Sequence, residues 1–220
     1  SEPLALQFMA MGCHAFILDY SVAPNHFPTS VRELGEAVAY IREHAAEWKV
    51  DPAKIIVCGS SAAGHLACSL GVFWDNELVY DAIGRTPAQI RPDGLILCYP
   101  VITGGEYAHV NSFKRLLGDD VTQEQRDAVS LENFVTEQTP RAFIWHTYTD
   151  ENVPVENSLL LAAAMKRKNV NFELHIYPTG GHGLSLADEE TAGNGFQVVE
   201  QCQSWIPLVK MWLKHFDASC

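Results

Sequence analysis

The sequence lacks any long apolar run, and its basic residues are few. No stretch approaches the ~18 consecutive apolar residues that a membrane-spanning helix needs. Lysine and arginine together number 15, against 27 aspartates and glutamates, and the formal net charge is −12. Because nucleic acids and anionic lipid surfaces repel such a charge, we expect no nucleic-acid partner and no membrane partner.

Paired metal-binding spacings are absent as well. The six cysteines include no Cys-x-x-Cys pair, and the nine histidines include no His-x-x-x-His pair. The sequence therefore predicts no metal site, and no motif predicts a cofactor. Several cysteines fall within strand or helix patterns, which indicates free thiols in a reducing, cytoplasmic compartment. Four histidines fall within such patterns too and are expected to be structural: His14, His65, His146 and His175.

Strand and helix patterns alternate along the chain, with no repeat and no low-complexity linker. At 220 residues and 47% hydrophobic content, residues 1–220 are predicted to form one domain. Strands are expected at 13–19, 54–58, 94–100, 141–147 and 171–177, and helices at 2–11, 31–48, 61–73, 154–168 and 199–213. Pro207 is expected to kink the last helix. The alternation predicts an α/β fold, a mostly parallel sheet with helices on both faces, interrupted by a cap-like excursion at 103–139.

A tight turn with a serine at its apex follows the second predicted strand. The apolar run at 55–57 leads into Gly59-Ser60-Ser61-Ala62-Ala63-Gly64. Small residues are required where a strand-to-helix turn exposes a nucleophilic hydroxyl at the edge of a sheet. Ser61 occupies the nucleophile position of Gly-x-Ser-x-Gly, and Ala63 replaces the last glycine. The alternative is a Gly-Ser loop whose serine only caps the helix.

A candidate acid and a candidate base follow Ser61 along the chain. Asp150 comes just after the strand at 141–147, and His182 lies in a glycine-rich loop after the strand at 171–177. A serine nucleophile needs such a base, and the base needs an acid that orients it. As alternatives, Asp150 could cap the next helix, Glu151 is a rival acid, and His182 could be an ordinary loop histidine. The order Ser, Asp, His, with each residue following its own strand, favours a catalytic triad.

Several segments together carry a resemblance to a known family: 58–67 (Cys-Gly-Ser-Ser-Ala-Ala-Gly-His-Leu-Ala), 97–103, 150–154 (Asp-Glu-Asn-Val-Pro) and 181–183 (Gly-His-Gly). They resemble the acetyl-xylan-esterase-like, feruloyl-esterase-related α/β-hydrolases of the prolyl-oligopeptidase-like branch. The segment 20–24 (Tyr-Ser-Val-Ala-Pro) is similar to one in the wider esterase and lipase superfamily. The resemblance implies that Ser61 is the nucleophile, Asp150 the acid and His182 the base, and the Ala62 N–H is the expected oxyanion donor.

These residues predict a serine esterase that works through an acyl-enzyme. The resemblance implies short acyl groups, such as acetyl esters on sugars, and hence a small-molecule ester as the partner. Trp74, Tyr99 and Phe113 are candidate pocket walls, with plain core packing as the alternative. A prolyl-oligopeptidase-type peptidase is the runner-up, although these 220 residues contain no propeller domain. A non-catalytic binding module and a homo-oligomer are also left open.

One expected feature of this fold is missing upstream of Ser61. No His-Gly-Gly-Gly run occurs there to supply a second oxyanion N–H. In the family, a central strand lies between those that match 13–19 and 54–58. The N-terminal strands are therefore expected to be absent, and the 220 residues to be an N-terminally incomplete domain with low ester hydrolysis. Direct pairing of 13–19 with 54–58 would contradict this expectation.

Overall fold

The computed structural model describes residues 2–216, and its centre is one four-stranded sheet. The strands are parallel and lie side by side in chain order: β1 Ile56–Ser60, β2 Gly94–Cys98, β3 Arg141–Thr147 and β4 Phe172–Tyr177. The register pairs Ser60 with Cys98, and Cys98 with Trp145. Because parallel strands end at the same edge of a sheet, the segments that follow β1, β3 and β4 meet there.

Helices connect these strands and flank the sheet. In chain order they are α1 Glu2–Ala10, α2 Thr29–Glu43, α3 Ala45–Trp48, α4 Ser61–Phe73, α5 Glu77–Tyr80, α6 Pro87–Ile90, α7 Val110–Leu117, α8 Gln123–Asp127, α9 Glu156–Arg167, α10 Glu200–Gln203 and α11 Trp205–Lys214. Short 3-10 helices cover Asp81–Ile83, Leu131–Asn133 and Gly195–Gln197. None of the helices within residues 2–216 is long and apolar enough to cross a membrane.

Two apolar cores lie on opposite faces of the sheet. On one face, α2, α4 and α9 pack against side chains that include Leu95 and Ile144. On the other face, α1 and α11 pack against the alternate residues of the same strands, among them Ile96 and Trp145. This alternation follows from the two-residue period of a β-strand. The α/β class, the parallel sheet and the helices on both faces are thus confirmed.

The boundaries of most predicted elements match the structure closely, and two helices are interrupted. The helix expected at 31–48 breaks at His44 into α2 and α3, and the last helix breaks at Ser204 into α10 and α11. Pro207 accounts for the second break, because its ring would clash with the carbonyl of Gln203 four residues earlier. The excursion at 103–139 carries α7, α8 and one 3-10 helix between β2 and β3.

The strand expected at 13–19 is wrong. These residues form no ladder with any part of the described chain, and the Phe16 and Ile17 side chains are about half exposed. Apolar and β-branched residues favour a strand only where a neighbouring strand accepts their hydrogen bonds. Within residues 2–216, β1 is an edge strand and residues 13–19 do not pair with it. The expectation that the domain lacks strands before this segment stays a prediction.

The thiols of the described residues are unpaired. Cys13, Cys58, Cys68, Cys98 and Cys202 are free cysteines. Cys220, the sixth cysteine of the prediction, lies outside the described residues.

Candidate active site

The turn between β1 and α4 holds Ser61 in a strained backbone conformation. Ser61 has φ +55°, in the left-handed region that non-glycine residues seldom adopt. A Cβ at Gly59 would lie 2.1 Å from the Ala63 carbonyl oxygen, and one at Gly64 would lie 2.7 Å from the Cβ of Pro100. The close approach to the chain after β2 is therefore made at Gly64. Ala63 is only half-buried, which explains why an alanine is accepted where the sequence motif has glycine.

His182 faces the Ser61 hydroxyl across the edge of the sheet. The Ser61 Oγ to His182 Nε2 distance is 2.6 Å. The loop that carries His182 is tied to the end of β3, because the Thr147 and Thr149 hydroxyls both donate to the Gly180 carbonyl. Gly180 has φ +144°, and a Cβ there would lie 2.7 Å from Thr147 Cγ2. A glycine is thus required for the loop to bring the imidazole back over the sheet.

Asp150 holds the other nitrogen of the His182 ring. Its Oδ2 lies 2.6 Å from His182 Nδ1, and its Oδ1 accepts the backbone N–H groups of Asn152 and Val153 at 3.0 and 2.9 Å. Burial alone would raise the pKa of Asp150, but hydrogen bonds from His146, His182 and the Val153 N–H hold it well below its usual range. The rival acid Glu151 is exposed to solvent. The contact with His182 therefore belongs to Asp150.

Beside the turn, a small depression lies between the start of α4 and α7, which we call the α4–α7 depression. It has a volume of about 40 Å³, and its lining residues are Ala62, His65, Val101, Ser112, Phe113 and Leu116. The Val101 N–H donates to the Ser61 carbonyl, so the depression adjoins the turn directly. Ala62 lies in the first turn of α4, whose N–H groups have no acceptor within the helix. Its N–H is therefore available to a ligand's oxygen.

The three predicted pocket aromatics have three different positions. Phe113 lines the α4–α7 depression and is buried there. Tyr99 is buried against the His182 ring, with ring centroids 5.2 Å apart, and its hydroxyl oxygen accepts the Ser185 N–H at 2.9 Å. Trp74 follows the last residue of α4, about 20 Å along the helix axis from Ser61. Trp74 is therefore too distant to line a pocket at Ser61, and it packs beneath the Arg91 guanidinium instead.

Two further histidines near the site have roles that the sequence patterns did not reveal. His109 precedes α7, and its Nδ1 lies 2.8 Å from the Ser112 hydroxyl. Burial and the nearby charge of His182 lower the pKa of His109, while Asp150 acts in the opposite direction. His146 lies fully buried beneath Asp150. Their contacts join segments that are distant in the chain, which no local sequence pattern encodes.

The part of the chain that the structure describes contains no cluster of metal ligands. Within residues 2–216, no group of three or more His, Cys, Asp or Glu side chains is arranged to hold a metal ion.

Comparison with known proteins places this chain in a family. The BD-FAE family model matches residues 2–165. Over 198 residues the chain is 39% identical to the endo-1,4-beta-xylanase B of Butyrivibrio fibrisolvens, covering 86% of this chain and 30% of that protein. It is 28% identical over 180 residues to the acetylxylan esterase of Xylanibacter ruminicola, covering 80% and 35%. The chain thus spans about a third of the length of these relatives.

Solved structures agree with the sequence relatives. An acetyl ester-xyloside bifunctional hydrolase from Caldicellulosiruptor lactoaceticus superimposes with a TM-score of 0.87 at 38% identity, covering 99% of this chain and 76% of that one. The carboxylesterase Cest-2923 from Lactobacillus plantarum gives a TM-score of 0.84 at 29% identity, covering 99% and 79%. The chain belongs to the BD-FAE family and has the α/β-hydrolase fold of the ester hydrolases that it matches.

Proposed function

We propose that this protein is a serine esterase that hydrolyses short-chain carboxylic esters through an acyl-enzyme. The observation that carries the proposal is the pair of 2.6 Å contacts that join Ser61 Oγ to His182 Nε2 and His182 Nδ1 to Asp150 Oδ2. Such a relay removes a proton from the hydroxyl as it attacks a carbonyl carbon. The names of the family's relatives, which include esterases, support the same reaction.

The proposed reaction has two halves. In the first, Ser61 attacks the ester carbonyl, His182 takes the hydroxyl proton and returns it to the departing alcohol, and the acyl group stays on Ser61. In the second, His182 activates a water molecule that releases the acid. Asp150 orients the ring and stabilises its protonated form. The Ala62 N–H donates to the oxyanion in both halves.

The α4–α7 depression supports a preference for acetyl over longer acyl groups. Its volume of about 40 Å³ is only a few times the ~10–15 Å³ that a cavity needs to hold one water molecule. The imidazole of His65 presents no free nitrogen there, because Nε2 bonds the Val129 carbonyl and Nδ1 faces the Ser69 hydroxyl. Apart from Ser112, whose hydroxyl lies 2.8 Å from His109 Nδ1, apolar side chains form the remainder of the wall, which suits an acetyl methyl group.

Enlarging the depression tests this preference. We expect Leu116→Ala to raise the ratio of butyrate to acetate hydrolysis roughly tenfold, since a methylene in an apolar pocket is worth ten- to two-hundredfold. Leu117→Ala is the matched control, because Leu117 lies on the same helix but does not line the depression. Equal ratios in the two variants would show that acyl groups bind elsewhere.

Acetylated sugars are the proposed natural substrates. The support comes from the names of two relatives, an acetylxylan esterase and an acetyl ester-xyloside bifunctional hydrolase. The decisive experiment compares p-nitrophenyl acetate, acetylated xylo-oligosaccharides and a prolyl amide. We expect hydrolysis of both esters and none of the amide, since the dipeptidyl peptidase that the chain resembles is 28% identical over just 102 residues.

Single-residue variants complete this experiment. We expect Ser61→Ala to lose ester hydrolysis by several orders of magnitude with its fold intact. Ser60→Ala is the control, because Ser60 is the last residue of β1 and the hydroxyl that faces His182 Nε2 is that of Ser61. A dead Ser60 variant with an active Ser61 variant would overturn the assignment. Absence of hydrolysis by the unmodified protein would favour a binding module.

A further inference from the structure

His146 lies under the Asp150 carboxylate with every polar atom engaged. It is on β3, four residues before Asp150, and its side chain is 0% exposed. Its Nε2 lies 2.9 Å from the Val153 carbonyl oxygen and 3.4 Å from Asp150 Oδ2. Its Nδ1 lies 2.8 Å from the Ser158 hydroxyl on α9, which is also fully buried.

The groups around the ring decide which nitrogen carries the proton. A carbonyl oxygen and a carboxylate oxygen only accept hydrogen bonds, so Nε2 must carry a hydrogen, which it donates to the Val153 carbonyl at 2.9 Å with Asp150 Oδ2 close by at 3.4 Å. In the neutral ring, Nδ1 then accepts the hydrogen of the Ser158 hydroxyl. Ser158 thereby holds His146 in the tautomer that donates toward Asp150.

The hydrogen bonds of His146 reach Asp150 by two routes. The direct route is the proximity of Nε2 to Oδ2 at 3.4 Å, while His182 Nδ1 contacts the same oxygen at 2.6 Å. The indirect route passes through Val153, whose carbonyl accepts from His146 and whose N–H donates to Oδ1 at 2.9 Å. His146 on β3 is thus close to Oδ2 directly and is linked to Oδ1 through Val153.

The surroundings of His146 make a purely structural role costly. The two residues before it on β3, Ile144 and Trp145, are fully buried and belong to the two apolar cores. An imidazole in such a place is stable only if its nitrogens are bonded, whereas an apolar side chain would need no partners. Its position beside the carboxylate points to a role in holding that carboxylate.

We propose that His146, locked by Ser158, is a positioning residue that orients the Asp150 carboxylate toward His182. The inference rests on the proposed esterase function, because it names a residue that supports the same triad. The carboxylate is then restrained at both oxygens, and its Oδ2 is kept facing His182 Nδ1. Without His146 the Val153 carbonyl also loses its buried partner, and the turn that shapes Asp150 loosens.

The test compares His146→Phe with His146→Gln. Phenylalanine fills the space but removes the donor, whereas the glutamine amide can place an N–H near the position of Nε2. For His146→Phe we expect kcat on p-nitrophenyl acetate to fall about tenfold with KM changed less than about twofold, the lower end for a lost hydrogen bond to a charged group. His146→Gln should recover most of the kcat. Equal losses in the two variants would overturn the proposal.

A double-mutant cycle separates positioning from general packing. A residue that acts through Asp150 has nothing left to orient in an Asp150→Asn background, so we expect His146→Phe to cost less than about twofold there. The same tenfold loss in both backgrounds would show that His146 is only structural. If the phenylalanine variant does not fold, Ser158→Ala takes its place in the cycle, with a smaller but equally dependent loss expected.

The rate at which a fluorophosphonate labels Ser61 distinguishes a failure of the proposed triad from a failure of the positioning role alone. This reagent reports an activated serine whatever the natural ester is. If the unmodified protein is not labelled, the proposed triad fails, and the role of His146 fails with it. If the unmodified protein is labelled and His146→Phe is labelled at the same rate, the triad stands and the positioning role alone is overturned.

Discussion

His65 should make the stability of this protein depend on pH in a way that one substitution can remove. His65 is on α4, four residues after Ser61, and it is 5% exposed. Its Nε2 donates to the Val129 carbonyl at 3.0 Å, and its ring packs edge-on against Phe113. Burial lowers the pKa of His65 to about 4 from 6.5, with the Val129 hydrogen bond acting in the opposite direction.

The sign and the size of the effect follow from these values. Between pH 6.5 and about 4 the unfolded chain binds a proton at His65 that the folded chain does not, so the free energy of unfolding falls as the pH falls through that window. Above pH 6.5 the contribution of His65 is fully present. Since one pH unit of pKa difference corresponds to about 1.4 kcal/mol, the loss between pH 7.5 and 4.5 is about 2 to 3 kcal/mol.

Urea unfolding at pH 7.5 and pH 4.5 measures this contribution. We expect His65→Gln to be less stable than the unmodified protein at pH 7.5, but its stability should fall by about 2 to 3 kcal/mol less on acidification. The amide can still donate to the Val129 carbonyl, and it does not titrate. His14→Gln, at an exposed position, is the control. If the His65 variant loses as much stability between the two pH values as the unmodified protein, the reasoning from burial is refuted.

Further predictions concern the parts that hold the site together. Gly64→Ala should lower the free energy of unfolding by roughly 1 to 3 kcal/mol, because the new methyl would meet Pro100 at 2.7 Å; thermal unfolding measures this. Tyr99→Phe should lower kcat about tenfold with little change in KM, because the Ser185 N–H loses its acceptor and the loop after His182 loosens. Asp150→Asn should lower kcat by about 10³ to 10⁴ and leave KM nearly unchanged in steady-state kinetics.

Matched variants control these predictions. Gly195→Ala should leave thermal unfolding almost unchanged, because a Cβ there meets nothing within 4 Å. Glu151→Gln should leave kcat within about twofold, since Glu151 is exposed and its neighbour makes the contact with His182. A Glu151 variant as impaired as Asp150→Asn would reverse the assignment of the acid. A Gly64 variant as stable as the Gly195 variant would show that the chain after β2 can yield.

Local sequence patterns were sufficient for most of the elements and for the three residues that meet at the edge of the sheet. The strand at 141–147 and the helix at 61–73 appear in the structure with the predicted bounds, because hydrophobic periodicity and the glycine-rich turn act over a few residues. Ser61, Asp150 and His182 could be picked out for the same reason. Each follows the end of its own strand, and parallel strands necessarily bring those ends to one edge.

Only the tertiary structure decided how these groups are supported. The run at 13–19 has strand-forming residues but no neighbouring strand within residues 2–216, and pairing is a property of two segments rather than one. Tyr99 and Trp74 are equally aromatic in the sequence, yet one packs on the His182 ring and the other follows the far end of α4. Their distance from Ser61 depends on how the helix and the loops are laid against the sheet.

His146 illustrates the same division most clearly. Its place in a strand pattern predicted a structural histidine, and the structure shows it fully buried on β3. Its partners come from the loop at Val153 and from Ser158 on α9, which meet the strand only when the chain folds back on itself. The sequence by itself determined that a hydroxyl, a carboxylate and an imidazole follow strand ends at one edge of the sheet. The packing of loops and helices on that edge determined their distances, because hydrogen bonds between distant segments have no periodic signature in the chain.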